Sequence, residues 1–596
     1  MTPMEQEVFT KDGSVDLRGR PAVASRTGRW KACAFLVGYE AFERMAFYGV
    51  ASNLVVYLTT QLREETVASV RNVNNWTGAV WMTPIAGAYI ADAYLGRFWT
   101  FTISSLIYLT GMVLITLAVS LKPLHPQCTS AGVCSPATRH QVAFFYAALY
   151  TMAIGAGGTK PNISTFGADQ FDDLEPRERE AKAPFFNWWM FSSFAGGLGA
   201  VLVLVYVQEN VGWGVGYAVP TAGLALSLLL FYAGTPLYRH KPVGRGVEAA
   251  VGPVKLVGRV VRAALAKRRR SLRPVGDEVL SLLHERDASW YKAAGKRRLH
   301  HTPAYYRFLD KAALKKSSSE EDEACTVTEV EEVKLIAGMI VVWLTTLVPC
   351  TIWAQVNTLF VKQGTTLDRS VGSLNIPAAS LGSTITISML LSIPVYDRVF
   401  VPLMRRRRAG NQNPRGITLL QRLGIGCALQ VAAVACAYLV EVRRMRVVQE
   451  RSVHGKGETV PMSVFWMLPQ YVLLGVGDVF NSVGILEFFY DQSPDGMRSM
   501  GTTFFTSGLG AGNFLNSLLV TLVDRVTRKK SWIGDNLNDS HLDYYYVFLL
   551  LLSVLNMAIF VWVARRYRYK REFLELEPGT SEVEVADGAK GKVIDC

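Results

Sequence analysis

An all-α polytopic membrane protein, with twelve transmembrane helices in two six-helix bundles, is the fold class that the 596 residues predict. Three observations predict it. Half of the residues are apolar and the mean hydropathy is positive, too apolar for a string of soluble domains in a chain too long for one soluble core. Hydrophobic runs of about 20 residues or more recur along the chain, bounded by charges, Gly and Pro. A long basic segment divides them into two sets of six, the layout of two bundles related by an axis along the membrane normal.

The N-terminal tail, residues 1–31, is polar up to Gly28 and has no signal-peptide core, so targeting falls to the first transmembrane helix. Residues 32–238 form the first bundle, with runs near 32–62, 76–95, 99–120, 141–165, 185–208 and 215–238. Residues 239–332 form a cytoplasmic linker holding about 20 Lys and Arg, Lys267-Arg268-Arg269-Arg270 among them, and a Ser/Glu-rich piece at Ser317 to Glu323 that reads as disordered. Within it, roughly Val254 to Lys267 reads either as a basic amphipathic helix on the anionic inner leaflet or as a solvated linker. The second bundle, residues 333–567, has runs near 333–361, 373–396, 416–440, 462–490, 499–523 and 543–567. The tail 568–596 is cytoplasmic, and its last twenty residues also read as disordered.

The formal charge of +14 lies between the spans and in the tails, where the positive-inside rule places it, so nucleic acid is not an expected partner. Arg18 to Lys31, the linker, Arg405-Arg406-Arg407-Arg408 and Arg565 to Arg571 mark the cytoplasmic side. Arg443, Arg444, Arg446 and Arg528-Lys529-Lys530 land opposite. The eight cysteines are scattered without metal-ligand spacing, and no metal site is expected. Cys128 and Cys134 share one outer loop, as a disulfide or as two free thiols. Cys596 is the last residue rather than fourth from the end, which excludes a prenylation box.

Within the first run, Glu40, Glu43 and Arg44 fall on one helical face that Phe47, Tyr48 and Ala51 continue. Ionisable groups at membrane depth are costly unless they face a bundle interior or a wet cavity, so the cluster reads as functional; the alternative is a structural Glu–Arg pair between helices. Gly87 to Arg97 closes the second run. Its glycines allow close helix approach, while Asp92 and Arg97 can cap helix ends and pair across a cytoplasmic gate. The fourth run ends in GAGGTKPNISTFGADQF, where Lys160 sets an ammonium at membrane depth, several residues short of the polar boundary at Asp169. A snorkelling lysine is the alternative there.

The Gly87–Arg97 spacing resembles the loop signature of the major facilitator superfamily. The Glu-x-x-Glu-Arg stretch at 40–44, GTKPNISTFGADQF at 158–171, Phe185-Phe186-Asn187-Trp188-Trp189, Arg307-Phe308-Leu309-Asp310-Lys311-Ala312-Ala313 and Leu486-Glu487-Phe488-Phe489-Tyr490-Asp491-Gln492 together resemble the proton-coupled oligopeptide transporter family, in its plant nitrate and peptide branch. The likeness runs from about Arg29 to Arg571. It implies the major facilitator fold, no enzymatic activity and no cofactor, and a carrier driven by the proton gradient. It also implies that Glu40, Glu43 and Arg44 couple protons and that Lys160 pairs with a motif carboxylate until protonation releases it.

The resemblance further implies a substrate site at Tyr48, Trp353, Gln355 and Asp478. Asp478 stands where peptide carriers have a glutamate, Trp353 where the dual-affinity nitrate carrier has a histidine, Met190 where bacterial relatives have an asparagine, and Phe47 where they have the first of two tyrosines. These changes make the cavity more apolar and leave the cargo open between a small anion, a short peptide and an organic acid. Arg97-Phe98-Trp99-Thr100 matches a kinase site of the nitrate carrier, which would make a kinase a partner acting on Thr100. Asn538-Asp539-Ser540 is a glycosylation sequon. A proton symporter is the leading reading, with a hormone or metabolite exchanger and a non-transporting sensor as rivals. The expected location is the plasma or vacuolar membrane, with the oligomeric state open.

Overall fold

The computed structural model describes residues 9–126, 137–172, 174–241, 246–269, 282–293, 298–302, 306–315, 325–407, 417–453, 455, 457–494, 499–528, 531–574 and 583–586. Cys128, Cys134 and Ser317 to Glu323 lie outside them.

The chain is an all-α polytopic membrane protein. Its long helices are α1 (Arg29–Ala51), α2 (Thr66–Ile90), α3 (Gly96–Ser120), α4 (Arg139–Ala168), α5 (Pro176–Gly199), α6 (Trp213–Ala233), α7 (Val327–Ala354), α8 (Ser383–Val395), α9 (Leu419–Arg451), α10 (Leu468–Gln492), α11 (Ser499–Val526) and α12 (Leu542–Arg566). Three of them start at a Thr-x-x-Gln/Glu capping box, Thr138 with Gln141, Thr326 with Glu329 and Thr418 with Gln421, which satisfies amide groups that the first helical turn leaves orphaned. Among the described residues, nine helical segments are long and apolar enough to cross a membrane. One of the nine, Thr66–Ser120, holds both α2 and α3: a π-turn at Ala91–Leu95 ends α2, and Gly96, at φ 75° and ψ 162°, breaks the helix before α3 runs on. α1 is not among the nine, since Glu40, Glu43 and Arg44 spoil its apolar character.

Helix contacts are strongest for α3 with α4, α9 with α10, α2 with α11, α2 with α4, and α1 with α5. The first run proves to be two helices: α1 stops at Ala51, and Leu54–Thr60 follows after a kink at Asn53, whose amide donates to Gln208 (3.2 Å). The seventh run likewise ends in a separate turn, Leu359–Thr365. Short strand pairs join 367–368 to 460–463, 370–371 to 374–375, and 571–574 to 583–586. The last of these puts a strand, Val583–Ala586, within a tail that the composition marks as disordered.

Glycines decide how closely several helices approach. A side chain at Gly87 would overlap the Gly157 carbonyl, and one at Gly196 the Ala41 carbonyl. The second contact seats α5 against α1. Gly196→Val should separate them and lower stability by roughly 1–3 kcal/mol, read as an earlier thermal unfolding transition in detergent, whereas Gly199→Ala, with open space at its Cβ, should leave the transition in place.

The linker helix Gly246–Ala266 forms where the amphipathic pattern places it, but its apolar face does not lie on lipid. Leu256, Val260 and Ala264 are buried against Leu283, Leu309, Ala312, Ala313, Val327 and Val330. The helix also touches the π-turn at Ala91–Leu95 and α7. The Arg307–Ala313 stretch makes this possible: Asp310 is ion-paired to Lys334 (2.6 Å), and Lys267 donates to the carbonyls of Ala312 and Leu314. His301, Asp310 and Glu331 come within metal-ligating distance of one another, a juxtaposition that local spacing does not announce. Lys334 forms ion pairs with both of those carboxylates.

Candidate functional site

The charged face of α1 is buried as a unit. Glu40 and Glu43 are both inaccessible, and Arg44 Nε donates to Glu40 Oε1 at 2.7 Å while lying 3.1 Å from Glu43 Oε2. Nε carries one hydrogen, so only one carboxylate can take it. Glu40 is the better bonded of the two, because Ser193 Oγ donates to the same oxygen at 2.5 Å. Neither oxygen of Glu43 has a hydrogen bond among the described residues, so a proton can add there without displacing one. Ser193 is absent from the motif reading because nothing local to α1 points to it; the Gly196–Ala41 contact brings it in.

Lys160 lies one helix away, on α4, and is 9% exposed. Its ammonium makes no hydrogen bond or ion pair among the described residues. It sits 3.7 Å from the Phe47 ring centroid and 4.3 Å from that of Trp81. The expected contact between Lys160 and a motif carboxylate is therefore not made in this conformation: both carboxylates are ion-paired with Arg44, and two aromatic faces hold the ammonium instead. Phe47, where a tyrosine would place a hydroxyl, contributes one of them, and its ring also stacks on Trp76. Trp81 has no signature in the sequence, since an aromatic on an apolar run carries no spacing signal.

The expected substrate residues do not all come together. Tyr48 packs its ring on Gly197, within electrostatic reach of both Arg44 and Asp478. Asp478 is buried and accepts from Ser482 in a short hydrogen bond. Trp353 is half-buried with its indole N–H unpartnered. Gln355 departs from expectation: it is fully buried and donates to Asn516 (2.7 Å) and to the Thr351 carbonyl (3.1 Å), with Tyr545 donating to the same Asn516. Its amide nitrogen thus ties α7 to α11, while its carbonyl oxygen has no partner among the described residues.

The gate motif is also rearranged. Arg97 meets Asp92 only at 3.8 Å and bonds instead to Asp169 at the end of α4 (2.6 Å), with Lys241 3.4 Å from the same carboxylate. This knot joins α3 to α4 rather than spanning a gate. Thr100 is 3% exposed, which withholds its hydroxyl from a kinase in this conformation. Asn538 is equally buried; its carbonyl accepts from Arg444 (2.8 Å) and its amide donates to the Glu458 carbonyl (3.1 Å), so no glycan can be carried there.

Two dissenting arginines are explained by the same region. Arg444 is fully buried against Glu441, and Arg443 stacks on Trp466. These charges are committed to structure rather than to orientation.

The family model described as "PTR2: POT family" matches residues 98–534. The chain is 61% identical over 570 residues to Protein NRT1/ PTR FAMILY 5.1 of Arabidopsis thaliana, covering 95% of each chain, and 49% identical over 572 residues to Protein NRT1/ PTR FAMILY 5.2 of the same plant, covering 95% of this chain and 96% of that one. Its fold is similar to the crystal structure of an auto-inhibited POT family peptide transporter, with a TM-score of 0.66 at 21% identity, over 90% of this chain and 97% of the other. The buried Glu40–Arg44–Glu43 cluster with Lys160 beside it, on a polytopic all-α frame, is thus carried by a member of the POT family in its plant NRT1/PTR branch, a proton-coupled transporter with the major facilitator fold and not an enzyme.

Proposed function

We propose that the chain is a twelve-span symporter that moves a small anion or organic acid together with protons, by alternating access between the bundles 32–238 and 333–567 joined by the linker 239–332. The tails 1–31 and 568–596 and the linker are cytoplasmic in this reading. Several contacts support the two-bundle division. α2 packs on α11 and α5 touches α8, and otherwise the long helices pack mainly within their own half. Thr66–Ser120 contributes two of the spans, and α1 and α11 complete the twelve.

The observation that carries the mechanism is the division of charge. Two carboxylates share one guanidinium, and a nearby ammonium has no anion. Glu40 and Glu43 are the proton sites, Arg44 is their shared counter-ion and Lys160 is the releasable partner. Protonation of Glu43 frees Arg44 from half of its load. Loss of that proton restores a carboxylate for which Lys160, leaving the rings, competes with Arg44. At ~4 Å and an effective dielectric of about 20 such a pair attracts by roughly 4 kcal/mol, enough to latch two helices. The cargo is placed between Lys160 and Arg44 on one side and Tyr48, Trp353 and Asp478 on the other. Phe47 and Met190 leave few groups to read a peptide backbone, which favours an anion or organic acid.

The conformation is open toward the cytoplasm in this reading. The opposite end is closed by contacts between the halves: Glu209 with Arg369 (3.0 Å), Thr59 with Lys362 (3.2 Å), Val201 with Ser380 (2.9 Å) and the Thr66 amide with Asp535 (2.7 Å).

Solute-induced currents in oocytes, measured at acid and neutral pH with nitrate, dipeptides and hormone acids, test the proposal. Symport gives an inward current that is larger at acid pH and lost in Glu43→Gln. Uptake that this variant retains would establish exchange instead, and binding without any current or uptake would establish a sensor.

A further inference from the structure

A cavity of about 640 Å³ lies away from the proton site, where the N-terminal tail crosses the starts of α1 and α5. Its charged lining is mixed: Lys11, Arg29, Lys31 and Arg177 against Asp172, Glu175 and Glu178. Every carboxylate is engaged. Glu175 is paired with Lys11 (2.6 Å), and Glu178 is held between Arg29 (2.5 Å) and the fully buried Arg239 (2.6 Å). Asp172 accepts from the backbone amides of Lys11 (2.6 Å) and Leu174 (2.9 Å). Lys31 and Arg177, both exposed, make no ion pair or hydrogen bond among the described residues. The cavity therefore has a rigid wall of compensated acids and two uncompensated cations.

Trp30 is also exposed on this lining, one residue into the first membrane helix, where an amphipathic ring marks the level of lipid headgroups. Uncompensated cations at that level meet the anionic surface of the inner leaflet, and Arg177 can take a phosphate by two parallel N–H bonds. The volume is far larger than one phosphate needs and suits a ring-sized ligand. Engaged carboxylates with remaining lone pairs are suitable acceptors for ring hydroxyls.

We propose that this cavity binds a phosphorylated polyol, with Lys31 and Arg177 on its phosphates and Asp172 and Glu175 on its hydroxyls. Two sources share that chemistry, a phosphoinositide headgroup and a free inositol phosphate. The proposal is independent of the cargo and of transport itself.

Binding by the full-length protein in nanodiscs tests it. Native mass spectrometry would follow retention of phosphatidylinositol bisphosphate against phosphatidylserine, and calorimetry would follow inositol trisphosphate added to discs of neutral lipid. Wild type should retain the bisphosphate lipid in preference to phosphatidylserine. Lys31→Gln/Arg177→Gln should weaken binding by roughly tenfold or more, while Arg405→Gln/Arg406→Gln, which removes basic charge elsewhere on the same side, should not. Binding of both probes identifies a free polyol phosphate as a ligand, and binding of the lipid alone identifies the headgroup. Equal retention of phosphatidylserine, absence of binding by wild type, or undiminished binding by a double variant with a normal unfolding transition would each overturn the proposal.

Discussion

Lys160→Ala should reduce proton-driven accumulation by on the order of tenfold or more, since a contact worth about 1.4 kcal/mol already accounts for one factor of ten. The ammonium has two alternative supports: the faces of Phe47 and Trp81, seen here at 3.7 and 4.3 Å, and a deprotonated motif carboxylate, for which it competes with Arg44. A desolvated cation on an aromatic face gains about 2 kcal/mol, half of the roughly 4 kcal/mol of the charge pair, so the rings lower the cost of leaving the carboxylate. Removing the charge removes both states, and the helices lose the link between proton arrival and release. Trp81→Leu should act differently. It weakens only the aromatic support, so uptake should persist with an altered pH profile. Uptake of an acid-driven solute into proteoliposomes with and without a pH gradient measures both variants. Normal gradient-dependent accumulation by Lys160→Ala would rule out the releasable partner.

Arg444→Met should destabilise the fold by roughly 3–5 kcal/mol, because it strands a buried carboxylate. Arg444 and Glu441 are both inaccessible, with contacts at 2.6 and 2.9 Å. Arg444 also donates to the Leu537 carbonyl and to Asn538 (both 2.8 Å), while Gln363 donates to Glu441 (2.7 Å). One guanidinium thus gathers the turn after α7, the end of α9 and the loop before α12. Glu441→Gln keeps an acceptor for Arg444 and should cost less. Thermal unfolding in detergent separates the two variants, and an Arg444→Met transition at the wild-type temperature would show that the network does not hold these segments.

Much of the frame was legible in the sequence for a simple reason. A bilayer admits few backbone arrangements, so length, hydropathy and charge bias suffice to mark an all-α polytopic chain. The charged cluster on α1 was legible for the same reason, since carboxylates at membrane depth are too costly to keep without a role. The linker helix was legible as a helix but not in its burial, because amphipathicity states that a face needs cover and not whether lipid or protein supplies it.

What the sequence determined alone is the set of helices, their likeness to a carrier family, and the three charges on one face of α1. Tertiary structure alone decided which charges meet. Glu40 gains Ser193 because Gly196 lets α5 close on Ala41. Lys160 rests on Trp81 rather than on a carboxylate. Gln355, Thr100 and Asn538, three polar residues that motifs marked for function, are buried. Motif spacing is local to one helix, whereas hydrogen-bond geometry and burial are set by the neighbour packed against it, and that neighbour lies tens or hundreds of residues away.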